Sequence, residues 1–215
     1  MKEPATVVVV IGAGGHARVL LDVLERCGVA VAGLTDADAG KHGKVLAGVR
    51  ILGADSVLEK HPPGVTILVN AMGSTDSMTL RQTVYERLKA AGYRFLTLTH
   101  PSAVIAPDAV LGEGAQVMAG AIIQPGATIG ANSIVNTGAQ VDHDCLIGAH
   151  VHLSPGVTLS GAVTVGDGTH VGTAATVVQG LRVGRGCLVA AGAVVARDVA
   201  DGERVAGVPA RRIGK

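Results

Sequence analysis

Two hydrophobic rhythms divide the chain. From Val7 to Thr99 the apolar residues come in short runs separated by helical spacings, while from Ile105 onward they recur every six residues. The continuous run Val7–Ile11 predicts a strand buried on both faces. After Gly12-Ala13-Gly14-Gly15 the pattern turns helical, with Val19, Leu20, Val23 and Leu24 on one face and Gly28 as its stop. Further strands are expected at Val29–Leu34, Val49–Leu52, Val65–Ala71 and Arg94–Thr99, with a weak helix over 55–60. Ser74 is an N-cap candidate for a helix running to about Ala91 and stopped by Gly92. These alternations describe a small Rossmann-like α/β sheet over residues 1–101.

The second rhythm starts at Ile105. Sixteen successive positions, six apart and ending at Val195, are all Val, Ile or Leu. At the chain's apolar frequency such a run arises by chance on the order of 10⁻⁵ times per register. A second slot four residues later, from Ala109 to Val199, is small or apolar throughout, and glycine follows the aliphatic residue at Gly112, Gly130, Gly148, Gly166, Gly172 and Gly184. A repeat this short supplies one strand and one corner per unit, so stacked units form a β-helix over 102–200, leaving 201–215 as a tail. A β-sandwich would need hairpin signals every 8–12 residues.

Composition gives this division a mechanical reason. Residues 105–200 contain no aromatic side chain, no lysine and nine charged residues, and the three aromatics (Tyr85, Tyr93, Phe95) all precede Pro101. Rings do not fit a narrow prism filled by stacked aliphatics. The net charge of +1 and the lack of a basic run argue against nucleic-acid binding. Residues 114–141 are uncharged, but their period is not helical and they include Gln116, Asn132 and Pro125, so no membrane span is expected. Met1-Lys2-Glu3-Pro4 leads straight into the first strand without a leader pattern. Cys27, Cys145 and Cys187 read as reduced, buried small residues of a cytoplasmic protein.

Two constellations carry chemistry. His143 breaks the uncharged stretch between Asp142 and Asp144, and histidine is the side chain that titrates near neutrality, so it can serve as a general base. Either acid can support it. Gly12-x-Gly14-x-x-Ala17, with Asp36 nineteen residues on, follows a strand and opens a helix, the setting in which backbone approaches a phosphate. The first domain is too short for two mononucleotide halves, so a nucleoside diphosphate suits it better than a dinucleotide.

The chain resembles the hexapeptide-repeat acyltransferases in its [Leu/Ile/Val]-Gly repeat and its Val205–Ile213 ending. It is similar to one branch of them, the sialic-acid O-acetyltransferase-like and nucleotide-linked amino-sugar N-acetyltransferases. Gly12-Ala13-Gly14-Gly15-His16 and Asn136-Thr137-Gly138 followed by His143-Asp144-Cys145-Leu146-Ile147-Gly148 match that branch's motifs. The resemblance implies a left-handed parallel β-helix of about five coils, homotrimers with active sites between subunits, and acetyl-CoA as co-substrate with no metal. It implies His143 as base, Asp144 as its acidic support and the Gly161 N–H as oxyanion donor. His152, Thr173 and Ala191 would contact acetyl-CoA, while His170 matches no role and reads as a stacked surface residue. Gly14, Gly15 and His16 would meet the diphosphate, Asp36 and Ala37 the nucleoside, Gly73 the same cleft, and Asn136 the sugar. The expected reaction is N-acetylation of a UDP-, GDP- or dTDP-linked 4-amino-4,6-dideoxy sugar by direct attack on the thioester. Sialate-type O-acetylation, a zinc enzyme like the γ-carbonic anhydrases using His143, His152 and His170, and a non-catalytic nucleotide-sugar binder are the alternatives.

Overall fold

The valine run at the start becomes the centre of a sheet. The computed structural model describes residues 7–74 and 76–214, so the reading of Met1–Pro4 lies outside the described residues. Strand β1 (Val7–Ile11) pairs in parallel with β2 (Val31–Thr35) on one side and β5 (Thr66–Asn70) on the other. With β3 (Val45–Leu46), β4 (Val49–Gly53) and β6 (Arg94–Phe95) the order is β3-β4-β2-β1-β5-β6. Val9 and Val10 have no exposed surface, as a strand covered on both faces requires.

Helix α1 (Gly15–Arg26) starts directly after the glycine turn. It ends in a Schellman-type cap: Gly28, at φ +68°, donates to Glu25 O, and Val29 N–H donates to Leu24 O. Its buried face is Ala17, Leu20, Leu21, Val23 and Leu24, while Val19, expected inside, is 42% exposed. The helix turns its 17/20/21/24 stripe inward, which leaves position 19 on the far side. Helix α2 (Thr79–Ala90) begins later than expected, because Ser77 rather than Ser74 accepts the Thr79 N–H. The weak helix is a 3₁₀ segment, Asp55–Lys60. Tyr85 and Phe95 rings lie 4.5 Å apart, and the Tyr93 hydroxyl donates to Leu58 O and His61 O.

The expected strand Arg94–Thr99 is two strands with different partners. Arg94–Phe95 pairs with β5, whereas Leu98–Thr99 pairs with Gln116–Val117. Accordingly the chain falls into two compact units: one of residues 1–73 and 83–96, the other of 74–82 and 97–215. Composition placed one break near residue 101 because it registers where aromatics stop, not where hydrogen bonding changes partner.

The second unit is a parallel β-helix. Two-residue strands stack in three sheets, and from Leu98 to Val195 each pairs with the strand eighteen residues away, as Gln116 with Ile134 and Ile134 with His152. The first face runs from Leu98–Thr99 through His152–Leu153 and His170–Val171 to Leu188–Val189. The second runs from Val104–Ile105 to Val194–Val195, the third from Val110–Leu111 to Arg182–Val183. The six-step aliphatics point inward and are buried from Val117 to Val195, whereas Ile105 and Leu111, in the first coil, are half-buried at the open end. Glycine follows them because the next coil's corner passes overhead: a Cβ on Gly166 would stand 2.7 Å from Arg185 N.

Stacking extends past the expected limits at both ends. Leu98–Thr99 begins it, and Arg204–Ala206 pairs in parallel with Leu188–Val189 before Arg211–Arg212 folds back antiparallel. Residues 201–214 therefore close the prism instead of trailing from it, and counting hexads from Ile105 to Val195 understates its length. Of the cysteines, Cys145 and Cys187 fill the inward slot, but Cys27 is exposed just beyond the last turn of α1.

Candidate active site

His143 stands on a corner between the second and third faces, between Gln140–Val141 and Leu146–Ile147. Its backbone N–H donates to Asp142 Oδ1 at 2.7 Å. Asp144 takes the left-handed corner conformation (φ +58°), which a short acidic residue tolerates, and its Oδ2 meets His143 Nδ1 at 2.8 Å. A carboxylate only accepts, so the Nδ1 proton is fixed there and Nε2 keeps its lone pair. The ring is half exposed. The hydrogen bond that His143 donates to Asp144 and then the field of Asp142 hold the imidazole above its ordinary pKa, against a smaller effect of burial. The two acids thus divide the support: Asp144 by contact, Asp142 through space and through the backbone.

Gly161 lies one coil on, joined to this corner by the bond from Ala162 N–H to His143 O (2.8 Å). The imidazole lies across it, so that a Cβ at 161 would come within 3.0 Å of Nε2, Cε1 and Cδ2. Only glycine leaves that room. Ser160 and Ala162 N–H groups both have carbonyl partners, whereas among the described residues the Gly161 N–H donates to none. Beside the corner a shallow groove of about 170 Å³ is lined by Gln124, Gln140, Asp142, Thr158 and Ser160. Asp142 was expected beside His143, whereas Gln124, Gln140, Thr158 and Ser160 carry no signal in the sequence beyond their outward place in the hexad. Cys145, next to Asp144, is buried with its thiol aimed at Ser160 O, and burial pushes its pKa up. That excludes it as a ready nucleophile.

A second cluster occupies the first face. His152, Thr173 and Ala191 line one groove of about 350 Å³ together with Ser74, Ser154 and His170. Asn136, expected near the sugar, donates its Nδ2 to His152 Nε2 at 3.1 Å. His170 is not a surface residue: it is 5% exposed, with Nδ1 at 3.2 Å from Ser74 Oγ and Nε2 at 3.2 Å from Ser154 Oγ. The hydroxyl that covers it comes from 96 residues earlier, beyond the reach of any local pattern. His143 and His152 are nine residues apart, half of an eighteen-residue coil, so one prism carries them on opposite sides. Among the described residues no three His, Cys, Asp or Glu side chains are grouped so as to hold a metal ion.

The third cluster is the glycine turn of the first unit. A Cβ on Gly14 or Gly15 would meet nothing within 4 Å, and the first turn of α1 holds no acidic residue, so the positive end of the helix opens onto free space. Gly73 is packed against His16, with a Cβ there 3.3 Å from His16 Cβ. Asp36, expected to accept from a nucleobase, spends its carboxylate on the turn itself: Oδ2 accepts from Ala13 N–H (2.9 Å) and Lys41 Nζ (2.8 Å), Oδ1 from Asp38 N–H (2.9 Å). Burial raises its pKa, but Lys41 and the two N–H groups outweigh that and hold it below the usual carboxylate range. Ala37 follows it and is exposed. No helix among the described residues is long and apolar enough to cross a membrane.

Comparison with known proteins agrees with this anatomy. Residues 7–88 match the PglD N-terminal domain family, and residues 108–142 and 126–161 match the bacterial transferase hexapeptide family (six repeats). Among solved structures, a His-to-Asn variant of perosamine N-acetyltransferase from Caulobacter crescentus, in complex with CoA and GDP-perosamine, is 40% identical, with 97% of each chain covered and a TM-score of 0.88. The acetyltransferase domain of PglB from Neisseria gonorrhoeae, in complex with acetyl coenzyme A, is 35% identical over 97% of this chain and 100% of its own, with a TM-score of 0.89. WeeI from Acinetobacter baumannii shares the fold at 24% identity, 97% and 100% coverage and a TM-score of 0.82. Among curated protein sequences no match is found. The chain belongs to the left-handed β-helix, hexapeptide-repeat acetyltransferases, in the branch that carries a PglD-type N-terminal domain ahead of the prism.

Proposed function

We propose that the protein transfers the acetyl group of acetyl-CoA to the amine of a nucleotide-linked 4-amino-4,6-dideoxy sugar. The observation that carries this reading is His143, its Nδ1 proton held by Asp144 and its Nε2 over Gly161. The sugar amine attacks the thioester carbonyl, forming the C–N bond, and His143 Nε2 takes the proton the nitrogen sheds. The Gly161 N–H stabilises the oxyanion, a contribution of about 3 kcal/mol for such a donor. The C–S bond then breaks, and the proton passes to the leaving thiolate, giving free CoA. The open glycine turn takes the nucleotide diphosphate. The kinship with perosamine N-acetyltransferase supports an amine acceptor.

The reading includes a homotrimer acting in the cytoplasm. What supports the trimer is the placement of His143 and the His152 groove on opposite sides of one prism. A thioester lying along the first face of one copy reaches a base only on a second copy, and a corner-to-face contact is heterologous, the kind of contact that forms a closed trimer when its rotation is threefold.

The test is to present UDP-, dTDP- and GDP-linked 4-amino sugars with acetyl-CoA and follow thiol release. One of them should give a hydroxylamine-stable amide, and His143→Asn should lower kcat by roughly 10²–10⁴. Absence of thiol release with all three, a hydroxylamine-labile ester product, or near-normal turnover by the variant would overturn the reading.

A further inference from the structure

His170 has no part in the chemistry above, yet it is a polar side chain on the outward side of a prism strand that is only 5% exposed. Such a group is costly unless its hydrogen bonds are made. Here they are, to Ser74 and Ser154, and an edge-to-face ring contact joins His170 to a second hydrogen-bonded pair. Thr137 N–H donates to Asn136 Oδ1 at 2.8 Å, which fixes the amide so that Nδ2 faces His152 Nε2. That nitrogen must accept, so a neutral His152 carries its proton on Nδ1. The His152 ring meets the His170 ring edge-to-face, centroids 4.9 Å apart at 87°. His170 in turn bridges Ser154 and Ser74. Burial holds the His170 imidazole below its ordinary pKa, against a smaller opposing effect of Asp76. A neutral ring offers one donor and one acceptor, and each serine hydroxyl can take the complementary role.

Ser74, Ser154, His170 and His152 all face the same groove. Ser74 is not carried by the prism itself but by the segment 74–82, whose Arg81 donates Nε–H to Asn132 O at 3.0 Å. Among the described residues, Ser74 joins that segment to His170 and Arg81 joins it to Asn132. An uncharged hydrogen-bonding lining suits the neutral amides and thioester of a pantetheine arm, not a phosphate.

We propose that His170 is a positioning residue for acetyl-CoA: bridging Ser74 and Ser154, it fixes the Ser74 wall of the groove and the orientation of His152. The inference rests on the proposed acetyl-CoA reaction. Its test is acetyl-CoA binding by titration calorimetry, with steady-state kinetics beside it, on full-length Ser74→Ala, His170→Phe and His170→Gln.

Losing a bridging hydrogen bond in a groove of this kind should weaken acetyl-CoA binding roughly 5- to 10-fold. KM for acetyl-CoA should rise with it in Ser74→Ala and His170→Phe, with kcat and the KM of the sugar substrate within about two-fold. A double variant, Ser74→Ala with His170→Phe, should lose little more than either single one, as residues that share one interaction do. His170→Gln, whose amide can still bridge two hydroxyls, should recover part of the loss. If His170→Phe does not fold, Ser74→Ala, which removes one oxygen atom, still decides. Unchanged acetyl-CoA affinity in a folded Ser74→Ala would overturn the inference, as would a fall in kcat at constant KM. Failure of the wild-type protein to bind acetyl-CoA would instead overturn the function on which it rests.

Discussion

Replacing Gly161 by alanine probes the catalytic corner with one carbon atom. That carbon would stand 2.6 Å from His143 Cε1 and 3.0 Å from Cδ2, where carbon atoms rest at about 3.5–4.0 Å. Gly161 is not among the residues with left-handed φ, so the backbone accepts alanine without strain. The ring it strikes is half exposed and free to swing outward. The clash is relieved by an imidazole displacement of about 1 Å, and a misplacement of that size can cost on the order of 10² in rate. The swing also opens the 2.8 Å bond to Asp144. We expect kcat to fall about 100-fold, equivalent to about 2.7 kcal/mol of activation free energy, with KM for acetyl-CoA nearly unchanged. Thiol release measures the rate, and a melting temperature within about 3 °C of wild type shows that the fold is kept. A folded variant with kcat within three-fold of wild type would refute the placement of the base, and a variant that unfolds would refute the claim that only the ring must move.

The pH profile follows from the same contact. The base acts only when neutral, so kcat/KM should fall as pH drops through the raised His143 pKa; Asp144→Asn removes the largest cause of that elevation and should move the acid limb to lower pH while lowering the plateau. An acid limb that stays in place would show that another group sets it. Titration of the native protein with a thiol reagent should modify Cys27 quickly and leave activity intact, because Cys145 and Cys187 are buried and burial raises both their pKa values. A second fast thiol, or activity lost with the first, would contradict that assignment.

Much of this was legible from residue order because its cause is local. The sixteen aliphatics six apart declare a prism, since inward and outward alternate within each two-residue strand and need no distant partner. His143-Asp144 was legible for the same reason, the two side chains being joined by a bond between chain neighbours. The glycine turn was legible as a strand-to-helix turn with open space at the helix N-terminus, but the partners of Asp36 were not: the N–H and ammonium groups that meet its carboxylate come from a turn 23 residues earlier and a lysine five residues later.

By itself, then, the sequence determined the architecture of both units, the corner that holds His143 and Asp144, and the aliphatic identity of the core. Tertiary structure alone decided which outward residues are covered. His170 and Ser154 are outward positions of an ordinary coil, and they join a buried network because Ser74, 96 residues before His170, reaches it. The same holds for Arg94–Thr99, one apolar run whose two halves find different sheets. Strand period is set by the chain's own backbone, whereas burial of a polar side chain depends on which remote segment lies over it, and no local pattern encodes that.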